Sequence, residues 1–91
     1  MIEVLTLISG DTSRSVFCRL ASIGQAEFYQ ASALDIHPEA KFVLADYLEY
    51  RGEILLDHDG TRYRVLRTYR TGQELELTVV RASAEEAMLG E

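Results

Sequence analysis

Apolar and polar positions alternate along most of this chain, and the alternation is broken by short runs of turn formers. Residues 2–8, IEVLTLI, are rich in leucine and β-branched residues and predict a first strand. The run SGDTS follows as a loop of turn formers. Residues 14–21, RSVFCRLA, predict a second strand, with Val16, Cys18 and Leu20 on one face and Phe17 on the other. The pattern then changes to helical spacing. Ser22 followed by Gln25 fits a capping box, and Phe28, Ala31 and Leu34 form an apolar stripe. This predicts one short helix, which ends before Pro38 because His37 is pushed towards extended backbone.

From Ala40 to Tyr50 the pattern AKFVLADYLEY suits helix or strand. Its β-branched and aromatic content, and the Gly52 that follows, favour strand. Phe42 and Leu44 alternate with Val43 and Ala45, so both faces are expected to be partly buried. EILLD, residues 53–57, is a short strand, and Asp59-Gly60 suits a type I′ hairpin turn. TRYRVLRTYR is the next strand, TG a turn and ELELTVVRA the last strand. The order ββαββββ, with hairpins at short spacing, predicts a mainly β (α+β) fold. It is a small antiparallel β-barrel or half-barrel of about six strands with one short helix between strands 2 and 3. Rolling the sheet up also removes exposed edges.

The last hairpin carries the most charge. Arg62, Arg64, Arg67 and Arg70 lie on its first strand, and Glu74 and Glu76 on its second. A two-residue Thr71-Gly72 loop would set Arg67 opposite Glu76. A three-residue loop would set Arg70 opposite Glu74 and Val65 opposite Val79. The second register is favoured because it keeps Tyr63, Val65, Tyr69, Leu75, Leu77 and Val79 on one mostly apolar face. A β-bulge near Val65-Leu66 reconciles the two apolar neighbours there. Either register pairs arginine with glutamate, worth roughly 0.2–1 kcal/mol per exposed pair. The hairpin therefore reads as a solvated, charge-matched face, or as the wall of an interface in which Arg and Tyr are favoured anchors.

The chain has 91 residues, 47% of them hydrophobic, which is one domain with one modest core. The core is expected over about 2–82, with a flexible acidic tail over about 83–91. A net charge of −6 argues against free-standing nucleic-acid binding, although an acidic lumen would let DNA slide through without gripping it. Cys18 is the sole cysteine, so no internal disulfide forms, and among apolar neighbours it reads as a small apolar residue in a strand. No signal peptide or transmembrane run is evident, so a cytoplasmic origin is expected.

Candidate chemistry is sparse. His37 and His58 are the only histidines and do not make a zinc set, which needs three or four ligands. His58 between Asp57 and Asp59 reads as a turn rather than a cation site. Cys18 and the serines carry no nucleophile motif, and Glu85-Glu86 sits on the acidic tail. The five tyrosines, Tyr29, Tyr47, Tyr50, Tyr63 and Tyr69, suit core and rim positions, with an interface as the alternative. No enzyme activity, cofactor or metal is expected.

Several segments are nevertheless distinctive in order and spacing: EFYQA (27–31), HPEAKFVL (37–44), YRGE (50–53), a turn at Gly60, YRVLRTYR (63–70) and LELTVVR (75–81). Over about residues 16–81 the chain resembles the head-closure, or head–tail adaptor, proteins of tailed bacteriophages and prophages. Its short N-terminus and acidic tail depart from that pattern. The resemblance implies a structural protein of virion assembly, a small barrel with a helix. Such a protein self-associates into a ring beneath the portal, closes the DNA channel and presents a surface to the tail. It also implies portal or adaptor ring and tail proteins as partners, no sequence-specific nucleic-acid binding, no membrane, and a location in the virion neck after assembly in the host cytoplasm. Arg64, Arg67, Tyr69 and Arg70 are then candidate contact residues, with Glu74 and Glu76 as partners across subunits. A small β-barrel binding module for an oligonucleotide or protein ligand is the alternative.

Overall fold

The structure, a computed structural model, describes residues 2–23 and 38–83. Six strands follow in chain order: β1 (Glu3–Ser9), β2 (Thr12–Ala21), β3 (Ala40–Leu44), β4 (Leu55–His58), β5 (Thr61–Thr71) and β6 (Glu74–Arg81). All pair antiparallel and close a barrel in the order β1-β2-β3-β6-β5-β4, with β4 returning to β1. The mainly β barrel expected from the alternation is thus closed. The expected helix over Ser22–Leu34 and the acidic tail fall almost entirely outside the described residues.

Alternation explains the core. Leu5 and Leu7 of β1, Val16 and Cys18 of β2, Phe42 and Leu44 of β3, Leu56 of β4, and Leu75, Leu77 and Val79 of β6 meet in one cluster. Seven large side chains are fully buried there, led by Phe42, so a barrel of this girth is filled by its own side chains and leaves no channel. Phe42 packs against the rings of His58 (centroids 4.8 Å apart) and Tyr63 (5.9 Å). Leu20, expected on the same face as Val16 and Cys18, is 53% exposed at the strand's end.

Two hairpin turns are set by local backbone. Ser9 pairs with Thr12, so the expected loop at residues 9–13 is a two-residue turn through Gly10-Asp11. At the β4–β5 turn His58 pairs with Thr61, and Asp59 and Gly60 both have positive φ, 51° and 80°, as a type I′ turn requires. A Cβ on Gly60 would meet nothing, so its role is conformational alone. Gly60→Ala is expected to lower stability by about 1–2 kcal/mol in a denaturant melt, with the fold unchanged.

The expected strand over residues 40–50 is shorter. It ends at Leu44, and a single 3₁₀ turn, Tyr47–Glu49, takes over. Asp46 causes the change: its backbone is extended, and its carboxylate accepts from the Leu48 amide at 2.9 Å, capping the turn. The Tyr47 amide donates to the Gln73 carbonyl at 2.8 Å, tying this segment to the start of β6. Tyr47 and Tyr50 then pack on the core cluster and close one mouth of the barrel.

The β5–β6 hairpin adopts neither register weighed from sequence. Its loop is Gly72-Gln73, so Thr71 faces Glu74, Arg70 faces Leu75, Tyr69 faces Glu76 and Arg67 faces Thr78. Gly72 has φ of 59°, which places glycine at the first central position of a two-residue turn. The expected bulge is present: Leu66 is the extra residue between Val65 and Arg67, and beyond it Val65 faces Val79 as the favoured register required. Because the bulge flips the strand's phase, Tyr69 leaves the apolar face and is 64% exposed.

Candidate functional site

A barrel filled with apolar side chains has its outer wall as its working surface. On that wall, partners across the ladders line up in rows. One row holds Tyr69, Glu76, Val43 and Arg19, on β5, β6, β3 and β2 in turn. Beside it Phe17 faces Val4 across β2 and β1. Phe17 is 66% exposed, Val4 51% and Ile2 73%. Ile2, Phe17, Val43 and Ala45 line an apolar depression bordered by Arg19 and Glu74. A second, more polar depression lies between Lys41, Arg67, Thr68, Tyr69, Glu76 and Thr78.

Ion pairs lace this wall. Arg19 meets Glu74 at 3.0 Å and Lys41 meets Glu76 at 3.2 Å. The glutamates of β6 thus turn towards β2 and β3. The expected cross-strand sets, Arg67 opposite Glu76 and Arg70 opposite Glu74, do not form in the ladder, because the two-residue turn shifts both by one or more positions. Lys41 is nearly buried, its aliphatic stem lying on the wall with its ammonium at the Glu76 carboxylate.

Of the six residues singled out from sequence, Arg67, Tyr69, Glu74 and Glu76 share this wall. Arg64 lies on another part of the outer surface, before the bulge, half-buried between Leu55 of β4 and Val80 of β6. Arg70 turns to the barrel mouth, where its guanidinium lies 3.5 Å from the centre of the Tyr47 ring and its Nε donates to the Gly72 carbonyl at 2.9 Å. Phe17, Val4, Ile2, Arg19 and Lys41 belong to the wall and were not foreseen. The Gly10-Asp11 turn was the available signal, because a two-residue turn there fixes Val4 opposite Phe17.

The mouth holds one more polar assembly. Glu53 is buried, and its carboxylate accepts from Arg14 Nη2 at 2.5 Å and from the Arg51 amide at 2.7 Å. Arg14 also donates to the Glu49 carbonyl at 2.7 Å, and the Tyr50 hydroxyl donates to the Glu53 carbonyl. Burial alone would raise the Glu53 carboxyl. The Arg14 guanidinium and the backbone amides of Glu53 and Arg51 outweigh it and hold the group below its ordinary value. The same burial, with the Glu53 charge behind it, pushes the Tyr50 phenol up. Every one of these groups is satisfied within the chain, so the assembly acts as a clasp between β2 and the segment that closes the mouth.

At the opposite end the Glu3 carboxylate accepts a hydrogen bond from His58 Nε2, 3.1 Å away, while Asp57 takes Arg62 through two contacts of 2.7 and 3.0 Å. Asp57 and His58 therefore engage separate partners. Among the described residues no group of three or more His, Cys, Asp or Glu side chains is arranged to hold a metal. Glu3 also faces Cys18 across the ladder. Burial, reinforced by the Glu3 charge, pushes the Cys18 thiol up to about 11, the opposite of what a thiolate nucleophile needs. Cys18 in the folded protein is accordingly expected to resist iodoacetamide at about pH 8 and to react fully once denaturant unfolds the chain, read by intact mass.

No protein-family model, no curated protein and no solved structure matches this chain.

Proposed function

We propose that this protein is a structural component of virion assembly in a tailed phage or prophage. It forms part of the head–tail connector ring beneath the portal, where it closes the DNA channel and joins head to tail. The observation that carries the reading is the outer wall, where exposed Phe17, Tyr69, Val4 and Ile2 stand among charged side chains of both signs. Exposed aromatics rimmed by charge are what a subunit offers to neighbours. In a ring each copy uses two different faces, and interleaved charge sets their register and direction. The likeness of residues 16–81 to head-closure proteins supplies the kind of neighbour: portal or adaptor ring on one side, tail proteins on the other. On this reading Arg67, Tyr69, Glu74 and Glu76 contact adjacent subunits, and the protein acts without catalysis, cofactor or metal, in the virion neck after assembly in the host cytoplasm.

The test is reconstitution. Purified protein mixed with the portal and adaptor rings encoded beside it is expected to co-migrate with them as a ring, and the Phe17→Ser and Tyr69→Ala variants to lose that co-migration while staying folded. No co-migration at any salt or protein concentration overturns the reading. The competing reading, a barrel that binds an oligonucleotide, draws on the four arginines and Tyr69 of β5. Saturable binding of single-stranded DNA at low salt by the free protein would favour it.

A further inference from the structure

The barrel is closed, yet β5 is longer than the strand that closes it. The β4 ladder reaches β5 only from Thr61 to Arg64, and one more bond, from the Val65 amide to the Ile54 carbonyl at 2.8 Å, continues it. Past Val65, among the described residues, β5 runs on to Thr71 with β6 on one side only. The pairing fixes which backbone groups are left over. Counting from the two-residue turn, Thr71, Tyr69 and Arg67 bond towards β6, so the amides and carbonyls of Thr68 and Arg70 point the other way. Among the described residues no backbone group meets them there, and both residues are exposed. This is a strand edge that invites another strand.

Charge decides which strand. The run 61–73 holds four arginines and no acidic residue, in a protein of net charge −6. Pairing this edge antiparallel with itself would bring Arg67 and Arg70 of two copies onto one short ladder, like charge against like. The Arg70 guanidinium is held on the Tyr47 ring and by the Gly72 carbonyl, so its charge sits beside the edge without covering the backbone. The same arginines that discourage a basic or identical strand favour an acidic one.

We infer that the free edge of β5, at Thr68 and Arg70, is a docking site for an extended acidic segment of a partner protein, which adds to the barrel as a further strand. Main-chain hydrogen bonds to Thr68 and Arg70 supply the grip, and carboxylates on the face that carries Arg70 supply the selection. The inference does not depend on a place in the virion neck.

The test uses the full chain, isotope-labelled, titrated with a synthetic eight-residue peptide alternating glutamate and threonine. The same peptide with lysine in place of glutamate is the control. The expected result is saturable shifts of the Thr68 and Arg70 amides with slowed hydrogen exchange, and binding weaker by about tenfold or more for the lysine peptide. Thr68→Pro, which removes only an outward-pointing amide, is expected to abolish binding. Should Thr68→Pro fail to fold, Arg70→Glu serves instead and is expected to weaken the glutamate peptide by about tenfold. No saturable change at either amide up to about 10 mM peptide overturns the inference. Equal binding of both peptides overturns its acidic part. Self-association of the free protein that Thr68→Pro abolishes assigns the edge to a second copy and overturns it as well.

Discussion

Phe42→Ala is expected to remove most of the protein's stability, while Phe17→Ser, which deletes the same ring, is expected to change it little. Phe42 is fully buried in the cluster that fills the barrel and touches the rings of His58 and Tyr63 on the far wall. Deleting such a ring forfeits its transfer free energy and leaves a cavity that a closed barrel cannot collapse into, about 3–5 kcal/mol in all. Domains of this size have roughly 5–15 kcal/mol to lose, so the variant should melt many degrees lower or fail to fold. Phe17 lies on the neighbouring strand but points outward and is 66% exposed. Its loss should shift stability by no more than about 0.5 kcal/mol. Paired urea melts check both. A large loss from Phe17→Ser would mean that the outer wall is covered in the free protein and is no surface for a partner.

That contrast was half legible in the sequence. Alternation alone set Val16, Cys18 and Leu20 on one face and Phe17 on the other, because a strand has only two faces; Val16 and Cys18 are buried, while Leu20 at the strand's end is not. Phe42 and Leu44 on one face and Val43 and Ala45 on the other were expected to be partly buried; the first three are buried and Ala45 is exposed. The β5–β6 hairpin shows where alternation stops helping. A single extra residue, Leu66, inverts the faces of everything beyond it, so Tyr69 moved from the apolar face to the wall. The bulge itself was readable from the adjacent Val65 and Leu66. The turn was not, because Thr71-Gly72, Gly72-Gln73 and a three-residue loop are all compatible with one glycine. Partners distant in the chain were out of reach for another reason. Arg19 and Glu74 are 55 residues apart, and nothing local to either one encodes the closure of the barrel that joins them. The clasp of Arg14 and Glu53 was hidden the same way, since a charged residue after a glycine reads as surface until a fold buries it.

That clasp gives the protein a stability that depends on acid. Glu53→Ala leaves Arg14, already two-thirds buried, with only the Glu49 carbonyl among the described residues in place of a carboxylate, and strands the Arg51 amide. Breaking one side of a buried pair is strongly destabilising, here about 3 kcal/mol because Arg14 keeps some solvent. The pH dependence follows from the direction of the Glu53 shift. Its carboxyl is held below the ordinary 4.5 in the folded protein and returns to that value on unfolding. Above pH 4.5 both states are ionised and the full stabilisation is present. Below it the unfolded chain takes up the proton first, so stability falls as pH drops through the folded value. Glu53→Gln keeps the shape and an acceptor for Arg14 but has no proton to gain. Urea melts between about pH 6 and pH 3 should show the native protein losing stability faster than Glu53→Gln, so that the gap between them narrows towards acid. Parallel curves for the two proteins would mean that the clasp carries no charge-dependent stability, and the mouth would then be held shut by Tyr47 and Tyr50 alone.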